Sequence, residues 1–116
     1  MAAPKIDSYH FGLIVIDGQN HRRDVIILPE RVISGWWRER GHLLQPGDLK
    51  DVLAAHPNTL VVGQGAYSRM SIAAETRAAL QSARIQLIEQ PSVQAVETYN
   101  RLREESLVAA AIHLTC

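Results

Sequence analysis

Apolar residues in this chain gather in short blocks separated by polar or turn-forming residues: GLIVIDG at 12–18, RRDVIILPE at 22–30, TLVVG at 59–63, IQLI at 85–88 and LVAAAIHLT at 107–115. Blocks of this length, rich in β-branched residues, predict strands. The first two flank Asp17, Gly18, Gln19 and Asn20, residues that tolerate a left-handed backbone, and so predict a hairpin. Pro29 then ends the second strand, because it cannot donate to a ladder. Residues 31–34 extend the sheet or form a small ribbon.

Between these blocks the period changes. In DLKDVLAAH at 48–56, Leu49, Val52, Leu53 and His56 fall on one helical face, with Asp48 as the expected cap. A second helix is expected from a Ser71 cap, with Ile72, Thr76, Ala79, Leu80 and Ala83 on its inner face. A third opens at Pro91 and Ser92 and carries Val93, Val96, Tyr99 and Leu102, with Arg101 and Arg103 where cations suit the helix dipole. Residues 35–44, GWWRERGHLL, have no period and predict a structured loop. Continuous apolar strands alternating with amphipathic helices predict an α/β domain whose sheet is covered by helices.

Composition narrows the function classes. At 116 residues the chain suits one domain with one core. Lys and Arg balance Asp and Glu at 12 each, so no net positive field favours nucleic acid. The single cysteine, Cys116, forms no internal disulfide, and the five histidines are scattered with no two of them at i and i+3 or i+4, so neither a metal nor a cofactor is expected. The start, MAAPKIDSY, lacks signal-peptide or presequence character, and no apolar run approaches the ~20 residues of a membrane-spanning helix. A cytoplasmic location is expected.

The stretch LVVGQGAYSRMSI at 60–72 carries the sharpest question. A dinucleotide fingerprint needs a third glycine or alanine where Ser68 stands, and a helix that begins at once; Glu89 does occupy the place of a ribose-binding acid, but the remaining chain is too short for a second nucleotide half. A Walker loop needs a lysine, and none follows Lys50. Two readings remain open. Gly63, Gln64 and Gly65 could turn backbone amides toward a crevice and, with Arg69, hold a small anion; or the glycines simply relieve crowding where strand and helix meet.

Arg38, His42 and His113 complete that candidate cleft, with His42 or His113 as an acid or base. His113 and Cys116 do not suit a nucleophilic dyad, because residues three apart in an extended chain face opposite sides. No catalytic residue is therefore assigned, and the chain is expected not to be an enzyme. Trp36 and Trp37 with Arg38, Arg40 and His42 form the densest polar and aromatic cluster, and Trp36, Trp37 and Arg38 are the expected interaction surface. Adjacent tryptophans in extended chain point oppositely, so one is expected in the core and the other at a contact surface.

The ordered set of Ile6-Asp7-Ser8-Tyr9 with Phe11-Gly12, the 36–41 stretch, Leu60-Val61-Val62-Gly63-Gln64-Gly65, Tyr99-Asn100 and the ending Ala111-Ile112-His113-Leu114-Thr115-Cys116 resembles the domain of adipogenesis-associated Mth-domain-containing proteins. That family includes the mitochondrial NADH dehydrogenase assembly factor 3 and bacterial members of unknown function. The resemblance implies a three-layer α/β fold with a mixed central sheet of about five strands, an N-terminal β ribbon and a cleft near Gly63. It also implies a non-catalytic role in protein contacts, such as assembly of respiratory complex I. The sequence departs from the family pattern at Tyr67-Ser68-Arg69-Met70 and in the 17–23 hairpin. The alternative is a protein that binds, or acts on, a small anionic ligand at the Gly63–Gly65 loop.

Overall fold

A computed structural model describes residues 3–116; Met1 and Ala2, the first residues of the MAAPKIDSY start, lie outside the described residues. The chain opens with a three-stranded antiparallel ribbon, Ile6–His10 (β1), Leu13–Ile16 (β2) and Gln19–His21 (β3), in that order. The central sheet follows with Val25–Ile27 (β4) and Val32–Ile33 (β5), and later takes Thr59–Gln64 (β7), Gln86–Gln90 (β9) and Val108–His113 (β10). Leu43–Leu44 (β6) and Ser71–Ile72 (β8) make a separate parallel pair. Three helices, Lys50–Ala55 (α1), Ala74–Ser82 (α2) and Ser92–Leu102 (α3), alternate with the later strands.

The central sheet has the order β5-β4-β10-β7-β9. Strands β10, β7 and β9 run parallel, whereas β4 is antiparallel to both β10 and β5, so the sheet is mixed. Every residue of β4 and β10 is buried, and successive side chains part between two cores. Ile26, Leu60, Val62, Ala109 and Ala111 face a cluster with Trp36, Leu44, Val52 and Leu80. Val25, Ile27, Val61, Val108, Ala110 and Ile112 face a second cluster with Ile14, Ala95 and Tyr99. A strand buried on both faces has no polar side, which is why these blocks show no alternation. The layers are α1 and α2, then the sheet, then α3 with the ribbon.

Three local expectations are corrected. Blocks 12–18 and 22–30 do not pair with each other: Asp17 and Gly18 both have positive φ, 47° and 79°, and turn β2 directly into β3. The half-buried alternation of β2 suits a ribbon, whereas the fully buried β4 requires the covered sheet. Ser71 does not cap a helix, because it enters β8; the helix starts at Ala74, with Thr76 donating to the Leu44 carbonyl at 2.7 Å. Asp48 lies within a 3-10 turn, Pro46–Leu49, that precedes α1, where its carboxylate accepts the Gln45 amide at 2.9 Å.

Helix α3 holds the ribbon by side chains that imitate a neighbouring strand. Asn100 accepts the Ile6 amide at 3.0 Å and donates to the Ile6 carbonyl at 2.8 Å. The Tyr99 hydroxyl donates to the Pro4 carbonyl at 2.6 Å, and Arg103 reaches the Ala3 carbonyl. Burial pushes the Tyr99 phenol well above its usual range, so it remains a donor.

Candidate functional site

The register of β10 against β4 sets the candidate site. Ile112 pairs with Val25, so His113 at the end of β10 lies beside Asp24, the residue that precedes β4. Asp24 Oδ2 is 2.8 Å from His113 Nδ1, and Asp24 Oδ1 accepts the Leu114 amide at 2.8 Å. Arg38 enters from the 35–42 loop, its Nη1 2.8 Å from Asp24 Oδ2 in an ion pair whose angles do not make a hydrogen bond. Its other donors, Nε and Nη2, bond the Gly41 carbonyl, and its guanidinium stacks over Trp36 at 4.7 Å.

Arg38 and His113 are both buried, at 8% and 6% exposure. A buried guanidinium such as that of Arg38 persists only when paired. Burial would raise the Asp24 carboxyl, but the bonds from His113 and the Leu114 amide, together with the Arg38 guanidinium beside it, outweigh burial and hold the group below its ordinary value. The shorter contact, from Asp24, is a hydrogen bond when His113 Nδ1 carries a proton, and in that neutral tautomer the lone pair lies on Nε2; Arg38 Nη2, a donor only, stands 3.2 Å from the same Nδ1. Nε2 is buried and has no hydrogen-bond partner among the described residues. The exposed His42 ring stands edge-on to His113, with centroids 5.9 Å apart.

The glycine loop is packed against the same end of the sheet. A Cβ on Gly63 would stand 2.8 Å from Ser92 Oγ and 3.1 Å from Ile112 Cδ1; on Gly65, at φ +100°, it would stand 2.7 Å from the carbonyl oxygens of Thr115 and Cys116. The chain therefore needs glycine at both positions for space, and at Gly65 for backbone conformation as well. The amides here are already occupied. Gly65 N donates to Ser92 Oγ at 2.9 Å, Ala66 N to the Thr115 carbonyl at 2.7 Å, and Ser92 N to the Gly65 carbonyl at 3.1 Å. Ser92 Oγ in turn donates to the His113 carbonyl at 2.6 Å, which ties loop, helix and β10 together.

The candidate residues thus divide. Arg38, His42 and His113 converge, and Gly63 and Gly65 adjoin them through Ser92. Gln64 is half-buried and donates to the Met70 carbonyl at 3.0 Å, while Arg69 is exposed. Trp36 is buried with its indole N–H on the Asp48 carbonyl, and Trp37 is 77% exposed. Glu89, in the place of a ribose acid, is bound to Arg77. Asp24, Ser92 and Tyr9, whose hydroxyl donates to the Leu114 carbonyl, were not singled out as site residues from the sequence. Asp24 and His113 are 89 positions apart, and no local period signals such a contact.

Besides Trp37, the large apolar side chains most open to solvent include Tyr67 at 68% and Phe11 at 59%, whose rings lie 6.4 Å apart. All three belong to segments tied to the carboxyl end of β10: Gly12 N bonds the Leu114 carbonyl, Ala66 N the Thr115 carbonyl, and Arg38 reaches His113. Open grooves occur at other positions. One of about 370 Å³ is lined by Leu28, Pro29, Arg31, Asp51, Ala54 and Leu107 among others. Another, of about 360 Å³, is lined by Asn20, His21, Arg22, Arg23, Ser34 and Gly35. Among the described residues no helix is long and apolar enough to cross a membrane, and no group of three or more His, Cys, Asp or Glu is placed to hold a metal.

Solved structures share this architecture end to end. The chain is similar to the conserved hypothetical protein PH1505 from Pyrococcus horikoshii, with 28% identity and a TM-score of 0.83 over 97% of this chain and 99% of that one. It is similar also to Rpa2829 from Rhodopseudomonas palustris, with 29% identity and a TM-score of 0.71 over 97% and 87% of the two chains. A Bordetella pertussis protein described as a Mth938-like domain shares the fold at 18% identity and a TM-score of 0.69, over 96% of this chain and 85% of that one. The family described as "Protein of unknown function (DUF498/DUF598)" matches residues 6–113, nearly the whole described domain, and the chain belongs to that family.

Proposed function

We propose that this protein is a non-catalytic interaction module that engages a protein partner through the carboxyl end of its central sheet. The observation that carries this reading is the exposure of Trp37, Tyr67 and Phe11 on segments tied to that end, with the Tyr67 and Phe11 rings 6.4 Å apart. Exposed aromatics beside a rigid scaffold are the usual anchors of protein interfaces. The polar groups behind them support the same reading, because Asp24, Arg38 and Ser92 are spent on holding the loops in place. The resemblance to assembly-factor domains points to a role in building a larger complex, with respiratory complex I as the instance to test first.

The test is affinity capture from the native cell with the intact chain, Trp37→Ala and Tyr67→Ala. The expected outcome is a stoichiometric partner held by the intact chain and lost from both variants, whose thermal unfolding stays unchanged. Absence of such a partner, or equal capture by all three proteins, overturns the reading.

A second reading, a small anionic ligand near the Gly63–Gly65 loop, draws on the buried and unpartnered His113 Nε2 beside His42. A titration with inorganic phosphate that leaves the His42 and His113 ring resonances unmoved would remove it.

A further inference from the structure

The groove beside β3 carries charge with no ion-pair partner among the described residues. Arg22 and Arg23 are both exposed, and neither forms an ion pair among the described residues. The other lining residues, Asn20, His21, Ser34 and Gly35, include no acid. Two like charges on consecutive residues repel each other, and a concavity with no carboxylate leaves that repulsion uncompensated. The walls are built rather than accidental. His21 Nδ1 and Ser34 Oγ meet at 2.8 Å, joining β3 to the turn after β5, and Gly35 turns the chain at φ +65° beside the Arg23 stem.

The groove also leads to the proposed contact surface. The Trp36 amide bonds the Asp24 carbonyl at 2.8 Å, which fastens the loop after Gly35 alongside Asp24. Trp37 is the next residue, with its indole in solvent. A cationic groove and an exposed apolar ring are therefore only two residues apart along the chain, from Gly35 to Trp37.

Resting on the interaction-module reading, we propose that this groove receives an acidic segment of the protein partner, with carboxylates on Arg22 and Arg23 and an adjoining apolar side chain against Trp37. Arginine suits this task because its planar fork matches a carboxylate in two parallel bonds. A peptide occupant is favoured over nucleic acid by the balance of charge over the whole chain, 12 basic against 12 acidic residues.

The test uses the full chain and a labelled eight-residue peptide that alternates glutamate and leucine. Arg22→Ser with Arg23→Ser is expected to weaken binding by about tenfold, and Trp37→Ala by a similar factor. Arg101→Ser, which removes an exposed charge on α3, should leave it unchanged. Equal binding by the double arginine variant overturns the proposal. So does equal binding of a lysine-leucine peptide, or of a single-stranded oligonucleotide of the same charge. Capture from cells separates the two readings. If the double variant keeps the partner that Trp37→Ala loses, the groove assignment falls and the interaction module stands; if neither change affects capture, both fall.

Discussion

Asp24 carries the most consequential charge in the protein at the scale of single residues. It answers Arg38, His113 and the Leu114 amide from one half-buried position. Its folded carboxyl titrates below the ordinary 3.8, so between the folded and unfolded values the unfolded chain binds more protons. Stability present above pH ~4 is then lost as the pH falls through the folded value. Asp24→Asn should flatten this acid limb of a urea-unfolding series between pH 6 and 3, besides destabilising the protein at neutral pH by leaving Arg38 unpaired. An unchanged acid limb would show that other carboxylates govern it. Gly65→Ala should cost roughly 2–4 kcal/mol in the same assay at pH 7, because the new methyl meets backbone carbonyls in a left-handed region that alanine disfavours.

Elements are joined here by side chains that act as backbone. Asn100 of α3 satisfies both polar groups of Ile6 in β1, so the ribbon is stitched to the helix as well as packed on it. Removing that side chain leaves a part-buried amide and carbonyl unpaired. Asn100→Ala should therefore destabilise by about 1–3 kcal/mol, and its mark should be local. Amide exchange in β1 should accelerate more than in β10, which lies in the middle of the five-stranded sheet. Uniform acceleration across both strands would mean that Asn100 supports the whole fold rather than the ribbon. By contrast, the exposed Arg77–Glu89 pair between α2 and β9 contributes little, as surface ion pairs do.

Over the whole molecule, the two cores share one sheet, since alternate residues of β4, β7 and β10 enter opposite clusters. Neither core can open without stripping the other face of the same strands. Trp36 reports on one cluster and Tyr99 on the other. Their signals should lose native character at the same denaturant concentration, together with far-UV circular dichroism. Separate midpoints would mean that the ribbon and α3 fold as an independent unit.

Much of this architecture was legible in the chain, because strand and helix are local matters of period and turn chemistry. The blocks at 59–63, 85–88 and 107–115 lie on β7, β9 and β10, and the helix at Pro91-Ser92 begins where expected. The division of Trp36 from Trp37 follows from alternation alone. Pairing was less accessible. A run such as 22–30 states that it will be buried but not beside which strands, and besides its neighbour β5 the partner of β4 is β10, more than 80 positions away. The glycine loop illustrates both sides. Its composition marks a bend, but only the return of the C-terminal tail and of Ser92 to within bonding distance decides what the bend is for. Local propensity acts over a few residues of chain, whereas a site is made where distant segments meet, and burial of a common core brings Asp24, Arg38 and His113 together.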